Sequence, residues 1–223
     1  MRLERGFAVV PGPFAPEELS GVLSDVDRAI AQSPLGDLHT GSSGTNVRME
    51  GLLDRAPSLA PVFTHPPLLE VASNRIGGPF RLSSFHLRTV LPGAEAQLLH
   101  QDVAPGADGW PLIGFIFMID GFSEQNGATR FIPGTENLRS MEEALRRAHP
   151  NEERACGPPG SLVIFDGSVW HGFGANVSGS PRRSVYGALI PRHAKPATDS
   201  SATLSPTVWG QLPAESRDLL SGT

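Results

Sequence analysis

The stretch "LIGFIFMID", residues 112–120, decides the fold class because it is apolar on both faces of an extended chain. Side chains of a β-strand alternate between the two faces of its sheet, so the stretch divides into two sets. One set contains Ile113, Phe115 and Phe117, and the other contains Leu112, Ile116 and Met118. A strand without a polar face is covered on both sides. The stretch therefore predicts a central strand packed between two layers.

Short stretches on either side of residues 112–120 have the same strand character, and glycine and proline turn signals separate them. The predicted strands are "FRLSSFHLRTVL" (80–91), "AQLLHQDV" (96–103), "TRFI" (129–132), "SLVIFDGSVWHGFGAN" (161–176) and "RRSVYGALI" (182–190). The 25 Gly and 21 Pro among 223 residues also favour short strands over long helices. This pattern predicts a mainly β fold with flanking helices, either a two-sheet β-sandwich or a jelly roll.

The chain, residues 1–223, is predicted to form a single domain, because its length suits one core. Helical spacing of apolar residues predicts N-terminal helices within about 15–78, followed by the β core at about 80–191. Residues 36–51 are polar and glycine-rich, and we expect a long mobile loop that becomes ordered when substrate binds. Residues from about 194 to 223 are rich in Ser, Thr and Pro, and we expect a loosely ordered tail.

Charge and composition exclude several classes of function. The formal net charge is -5 without a basic stripe, so no nucleic-acid partner is expected. No apolar run approaches the 18 residues of a membrane span, and "MRLERGFAVV" carries charges where a signal peptide is apolar. We therefore expect a cytoplasmic protein. Cys156 is the only cysteine, which excludes an internal disulfide and a multi-cysteine zinc site. The oligomeric state stays open.

A metal site is indicated by "HQD", residues 100–102, together with a later histidine. In a strand, His100 and Asp102 would point to the same face, with an imidazole and a carboxylate directed at one ion. A third ligand would be His171, which stands before a glycine-rich turn. Two histidines and one carboxylate leave three positions of an octahedral ion open, and this arrangement suits non-haem Fe(II). A structural zinc site would need a fourth protein ligand.

Eleven residues beyond His171, Arg182 is a candidate partner for an anionic cosubstrate. The planar guanidinium group binds a carboxylate through two hydrogen bonds and stays charged when buried. The charges of Fe(II), one aspartate and a dicarboxylate sum to -1, and one arginine brings the buried set to zero. An uncompensated charge in a low-dielectric site would be costly.

The ordered set of motifs resembles the phytanoyl-CoA dioxygenase family of Fe(II)/2-oxoglutarate-dependent oxygenases. The resemblance rests on "HQD", "GATRFIPGTE" (127–136), "GSLVIFDGSVWHGFGANVSGSPRRS" (160–184) and the opening "ERGFAVVPGPFAPEEL" (4–19). It spans residues 4 to 191 and implies a double-stranded β-helix core, which is the jelly roll of cupin-like proteins. Family members with alanine or glycine at the acid position can be halogenases, and Asp102 disfavours that reaction here.

The resemblance also implies a role for individual residues. His100, Asp102 and His171 would be the iron ligands, and Arg182 would hold the distal carboxylate of 2-oxoglutarate, with Arg183 as the adjacent alternative. The family's strand before "HQD" commonly supplies a further polar contact to 2-oxoglutarate. Thr89, Arg88 and His86 are candidates for this contact, and Thr89 is preferred. The family often has Ser two residues after the second histidine, and Phe173 at that position makes a different pocket shape an expectation.

The function predicted from the resemblance is an oxygenase that hydroxylates a small organic molecule. Fe(II), 2-oxoglutarate and O2 would be required, succinate and CO2 would be released, and natural-product biosynthesis is the setting suggested by analogy. Trp110, Arg130 and Phe173 are candidate substrate contacts, whereas Phe115 and Phe117 are assigned to the core. Two alternatives stay open: a 2-oxoglutarate-independent cupin-type metalloenzyme, and a non-catalytic small-molecule-binding protein on the same scaffold.

Overall fold

The computed structural model describes residues 1–34, 38–40, 44–104, 110–198, 201 and 204–221. The strands are β1 (Phe7–Pro11), β2 (Leu38–Thr40), β3 (Asn46–Met49), β4 (Phe80–Val90), β5 (Ile113–Met118), β6 (Thr129–Phe131), β7 (Glu153–Arg154), β8 (Ser161–Asp166), β9 (His171–Phe173) and β10 (Arg182–Pro191). The helices are α1 (Pro16–Ala31), α2 (Leu52–Arg55), α3 (Ala60–Phe63), α4 (Pro66–Ile76), α5 (Glu143–Arg147), α6 (Pro206–Gln211) and α7 (Ala214–Ser221), with a 3₁₀ turn at Pro57–Leu59.

The described strands form two antiparallel sheets. The large sheet has the order β1-β8-β5-β10-β4-β3-β2, and the small sheet has the order β7-β6-β9. The predicted central strand is confirmed, because β5 lies between β8 and β10 and all six of its residues are buried. One face of β5 packs against the small sheet through Ile116 and Met118. The opposite face packs against the helices through Ile113, Phe115 and Phe117.

Helices α1 to α4, α6 and α7 cover the outer face of the large sheet. Helix α1 begins at Pro16, and the Glu18 side chain accepts a hydrogen bond from the Ala15 amide at 2.9 Å, which satisfies one free donor of the first turn. Helix α4 ends at Gly77, whose φ of 71° is the left-handed conformation that glycine adopts without strain. Within the described ranges, no helix has both the length and the apolar character that crossing a bilayer requires.

Two segments contain more regular structure than their composition indicates. Within residues 36–51, β2 pairs with β3, and β3 extends the large sheet by pairing with β4. Met49 is buried, so an edge pairing and one apolar anchor organise a segment that its polar composition assigned to a loop. Residues 35–37 and 41–43 lie outside the described residues. Whether any part of this segment becomes ordered when substrate binds stays a prediction.

The expected loose tail is corrected by the structure, because residues 206–221 form α6 and α7. The Ser205 hydroxyl accepts a hydrogen bond from the Val208 amide, and Pro206 occupies the first turn of α6. Buried apolar residues of this segment join the core on the helical face of the large sheet; they are Val208, Leu212, Leu219 and Leu220. Average composition hid these apolar residues, which are spaced along two short helices.

Candidate metal centre and cosubstrate cavity

The ligand atoms of His100, Asp102 and His171 all lie within 4.8 Å of one another. The Asp102 carboxylate lies between the two imidazoles, with Oδ1 at 3.5 Å from Nε2 of His100 and Oδ2 at 3.6 Å from Nε2 of His171. The two histidine rings lie 4.5 Å apart between centroids. Two imidazole nitrogens and one carboxylate on one side of a common point are the donor set that suits Fe(II).

Backbone hydrogen bonds place the three side chains together. His100 and His171 exchange amide-to-carbonyl hydrogen bonds at 2.8 and 2.9 Å, so the two histidines face each other across a single β-bridge. The Asp102 amide donates to the Gly167 carbonyl at 2.8 Å. The predicted strand at 96–103 is therefore corrected to an irregular segment that holds one bridge. The ligands still converge, because His100 and Asp102 are each tied to the chain around His171.

His171 is prepared to bind a metal through Nε2. Its Nδ1 donates to the Val169 carbonyl at 2.9 Å, which leaves the Nε2 lone pair directed toward Asp102. Burial lowers the pKa of His171 to about 4, and the opposing attraction of Asp102 only partly offsets this effect. The imidazole is therefore neutral at neutral pH, which is the protonation state that metal ligation requires.

Asp102 is held as a carboxylate in a partly buried position. Burial opposes the charged form, but His171 and His100 outweigh it and hold the pKa of Asp102 well below its usual range. Oδ2 of Asp102 also accepts a hydrogen bond from the Tyr186 hydroxyl at 2.7 Å. The phenol fixes the rotation of the carboxylate and leaves Oδ1 without a hydroxyl donor.

The three ligands line a cavity of about 350 Å³ between the two sheets. Trp110, Phe173 and Arg182, which were predicted from the sequence, also line it. Further polar residues share its wall; they are Arg48, Ser83, Ser84, His86, Arg88, Gln97, Thr129, Ser184, Tyr186 and Lys195, of which His86 and Arg88 were candidates from the sequence. A pocket with convergent polar groups beside a metal-binding cluster is typical of a cofactor site.

Arg182 is 2% exposed and has no carboxylate partner among the described residues. Its guanidinium donates to the Gly127 carbonyl at 2.7 Å and to the Ser184 hydroxyl at 3.1 Å, and lies 4.2 Å from the Phe122 ring centroid. The buried Nε atom has no hydrogen-bond partner. Burial lowers the pKa of Arg182 to about 9, so the group is still cationic at neutral pH. This cation is therefore available to an anion that enters the cavity.

The family model described as phytanoyl-CoA dioxygenase (PhyH) matches residues 3–184, a span that contains the three ligands and Arg182. The chain belongs to the phytanoyl-CoA dioxygenase family. The resemblance stated from the sequence is confirmed, and the metal-binding geometry lies within the matched region.

Two fungal proteins are similar in sequence to most of the chain. Dioxygenase af480 of Aspergillus fumigatus is 27% identical over 229 residues, which are 98% of this chain and 74% of af480. Multifunctional dioxygenase prhA of Penicillium brasilianum is 26% identical over 215 residues, which are 86% of this chain and 71% of prhA. Both relatives are named dioxygenases.

Two solved structures show the same fold. HygX from Streptomyces hygroscopicus, crystallised with nickel, 2-oxoglutarate and hygromycin B, has a TM-score of 0.68 at 16% identity and covers 86% of each chain. AviO1 from Streptomyces viridochromogenes Tue57 has a TM-score of 0.68 at 23% identity and covers 88% of this chain and 95% of its own. The predicted mainly β fold with a jelly-roll core and flanking helices is confirmed.

Three other residues considered from the sequence lie outside the cavity of this family member. Thr89 is on the opposite face of β4, in a shallow pocket with Asp120 and Arg183, so its preference over His86 and Arg88 is corrected. Arg183 forms ion pairs there with Asp120 and Asp27.

Arg130 is 3% exposed and points away from the cavity wall that its neighbour Thr129 lines. It donates to Glu152 at 2.9 Å and to the Arg147 and Gln97 carbonyls, so its hydrogen bonds are made within the protein. The geometry does not support the predicted substrate contact, because Arg130 does not line the cavity.

The cavity-facing residues of β4 had a readable signal in the sequence. In "SSFHLRTV", residues 83–90, the polar side chains of Ser84, His86 and Arg88 alternate with the apolar side chains of Phe85 and Leu87. Period-two alternation assigns one set to each face of the sheet. Thr89 belongs to the set of Phe85 and Leu87, and its position alone would have excluded it.

Proposed function

We propose that this protein is an Fe(II)- and 2-oxoglutarate-dependent oxygenase that hydroxylates a small organic molecule. The observation that carries the proposal is that His100, Asp102 and His171 converge in the same cavity that the buried, carboxylate-free Arg182 lines. A metal-binding half and an anion-binding half are thus joined in one pocket. The family membership and the 2-oxoglutarate bound to HygX support the choice of cosubstrate.

His100, Asp102 and His171 would hold the iron. His171 offers Nε2 because its Nδ1 is engaged with the Val169 carbonyl. His100 is oriented more weakly, since its Nδ1 lies 3.4 Å from the Leu98 carbonyl. Asp102 supplies one negative charge and is kept in its rotamer by the Tyr186 hydroxyl. Partners of this kind orient ligands and raise their affinity for a metal.

Arg182 would bind the distal carboxylate of 2-oxoglutarate. Its hydrogen bonds to the Gly127 carbonyl and the Ser184 hydroxyl fix the plane of the guanidinium before a ligand arrives. A pre-oriented planar cation binds a carboxylate with little loss of side-chain entropy. The Ser184 hydroxyl lines the same cavity and can donate to the bound carboxylate.

Iron bound at this centre would supply the oxidation chemistry: 2-oxoglutarate and O2 yield succinate and CO2, and one oxygen atom enters a C–H bond of the substrate. The chain contributes a pocket with little water, because His171, Arg182 and Ser184 are almost fully buried. Exclusion of water strengthens the electrostatic contacts to the cosubstrate and protects reactive species. Phe173 and Trp110 line the remaining wall and would restrict the size of the substrate.

We also propose natural-product biosynthesis as the setting. HygX was crystallised with hygromycin B, and the fungal relatives are dioxygenases of similar sequence. A small-molecule substrate fits a cavity of about 350 Å³ that must also hold 2-oxoglutarate.

Succinate formation tests the proposal. The protein would be supplied with Fe(II), O2 and 2-oxoglutarate, with and without a panel of small organic compounds, and succinate would be quantified. We expect succinate from the wild type and none above background from Asp102→Ala, because a ligand with its negative charge is lost. Asp218→Ala is the matched control, since this exposed carboxylate pairs with Arg192 on the surface.

Turnover by Asp102→Ala at the wild-type rate would refute the ligand assignment. Oxygen uptake that does not require 2-oxoglutarate would refute the cosubstrate and would identify a cupin-type metalloenzyme. Binding of compounds without any oxygen uptake would identify a non-catalytic binding protein.

A further inference from the structure

The cavity-facing side of β4 carries Arg88 and His86, candidates for a further contact to 2-oxoglutarate that a substrate can occupy instead. Arg88 pairs in register with Ser184 of β10, and His86 pairs with Tyr186. Both side chains line the cavity, and the Arg88 guanidinium carbon lies 5.5 Å from the centroid of the Tyr186 ring. Since the Tyr186 hydroxyl touches Asp102, Arg88 and His86 lie beside the metal centre.

Polar atoms of both side chains lack hydrogen-bond partners in the described part of the protein. His86 is 1% exposed, and neither of its ring nitrogens has a hydrogen-bond partner. The buried Nε of Arg88 also has none, and no described carboxylate forms an ion pair with Arg88. Buried polar groups without partners are rare because each costs free energy, so a cluster of them in one cavity points to a ligand.

With Fe(II) and 2-oxoglutarate bound, the cavity would carry a net positive charge. Fe(II), Asp102, 2-oxoglutarate and Arg182 together sum to zero. Arg48 has its own partner in Glu50. Arg88 and Lys195 are the remaining cations that line the cavity, and no described carboxylate is bound to either. Lys195 is exposed, so it lies at the opening of the cavity, and it is the single lysine of the sequence.

We propose that the substrate is a small organic anion whose carboxylate or phosphate group binds to Arg88 and His86, with Lys195 at the cavity opening guiding its entry. This inference rests on the proposed function, because it assigns Arg182 to 2-oxoglutarate. The Arg88 guanidinium donates to the anion, and its charge offsets that of the substrate. His86 donates one further hydrogen bond from its neutral ring. A wholly apolar or cationic substrate would leave Arg88 buried without an anion.

Burial lowers the pKa of His86 to about 2, and Arg48 and Arg88 act in the same direction. Asp102 acts in the opposite direction. The ring is therefore neutral across the physiological range, with one N–H donor and one acceptor nitrogen.

Binding of matched probes tests the proposal without turnover. Protein loaded with Ni(II) and saturated with 2-oxoglutarate would be titrated calorimetrically with phenylacetate, phenyl phosphate and phenylacetamide. We expect at least one of the two anions to bind about tenfold or more tightly than the neutral amide, because a hydrogen bond to a charged group is added. The tighter of the two anions identifies the oxyanion that the site prefers.

Substitutions test which residue causes the preference for an anion. Arg88→Gln is expected to remove the preference for the anion and to leave phenylacetamide binding unchanged, and Arg88→Lys is expected to restore part of it. Arg139→Gln, which removes one exposed positive charge outside the cavity, should bind all three probes as the wild type does. Lys195→Gln should slow the association of the anion, because a charge at the cavity opening steers it. Lys195 is exposed, so this variant does not threaten folding.

Equal binding of anions and amide, or an anion preference that survives in Arg88→Gln, would overturn the inference. A large loss of 2-oxoglutarate affinity in Arg88→Gln, measured before any probe is added, would also overturn it and assign Arg88 to the cosubstrate. Failure of the wild type to bind Ni(II) and 2-oxoglutarate would instead refute the proposed function. The two failures are therefore distinguishable.

Discussion

The two faces of β10 carry neighbouring arginines with opposite surroundings. Arg183 is bound by carboxylates: Asp120 accepts hydrogen bonds at 2.7 and 2.9 Å, and Asp27 of α1 forms a further ion pair. The hydrogen bonds to Asp120 raise the pKa of Arg183 above its usual value. Among the described residues, Arg182 on the cavity face contacts a carbonyl, a hydroxyl and a phenyl ring, and burial lowers its pKa to about 9.

The difference shows which arginine is available to a ligand. Arg183 is already neutralised, and it ties α1 to the sheet. Arg182 is buried with its charge uncompensated by the described residues, which is unfavourable unless an anion binds. Position along the chain could not separate the two, since they are adjacent. The alternation of a β-strand separates them, because neighbouring side chains point to opposite faces.

The largest expected difference between the two arginines is in the affinity for 2-oxoglutarate. Arg182→Met should raise the dissociation constant of 2-oxoglutarate about 100-fold, because a buried, charge-assisted contact to a carboxylate is lost. Calorimetric titration of the Ni(II)-loaded protein measures it. Arg183→Met is the matched control and should leave this constant within about twofold, with a stability loss of about 1 kcal/mol at most for a partly exposed ion pair.

A similar rise in the dissociation constant of 2-oxoglutarate in both variants would contradict the distinction between Arg182 and Arg183. It would show a general effect of removing charge. An effect confined to Arg183→Met would move the cosubstrate to the other face of β10.

A smaller effect is expected at the metal centre from Tyr186→Phe. The change removes the hydroxyl that donates to Asp102 and keeps the ring that packs beside His86. Metal affinity should fall about tenfold, as is typical when a group that orients a ligand is lost. Competition with a chromophoric chelator for Co(II) measures the affinity, and the visible spectrum of bound Co(II) reports the geometry.

Tyr186 is the single tyrosine of the chain and is partly buried, so the thermal transition of the metal-free variant must be compared as a control. An unchanged Co(II) affinity and spectrum would show that Asp102 is oriented without the phenol. Tyr186→Leu is not a suitable control, because it removes both the hydroxyl and the ring.

Much of the fold was predictable from short-range pattern. The two apolar faces of residues 112–120 predicted the central strand, and the apolar spacing predicted helices in the region that contains α1 and α4. The segments that composition assigned to a loop and a tail were missed for one physical reason. Their order comes from contacts with distant parts of the chain, such as the pairing of β3 with β4 and the burial of Leu219.

The candidate site was predictable where spacing carries the information. The two-residue spacing of His100 and Asp102 and the distance from His171 to Arg182 indicated the ligands and the cosubstrate cation. Substrate contacts depend on which strands are neighbours and on their register, and this information is not local. Thr89 was chosen as a polar residue on the strand before "HQD" and Arg130 as a candidate substrate contact, and both point away from the cavity. The alternation around His86 and Arg88 was present in the sequence and would have corrected the first of these choices.

The most direct test of the central claim is the visible absorption of the protein under anaerobic conditions with Fe(II) and 2-oxoglutarate. We expect a charge-transfer band that saturates at one iron and one 2-oxoglutarate per chain in the wild type. The band should be absent in His171→Ala and should need far more 2-oxoglutarate in Arg182→Met. No band in the wild type, or an unchanged band in His171→Ala, would contradict the claim that these side chains form one metal and cosubstrate centre.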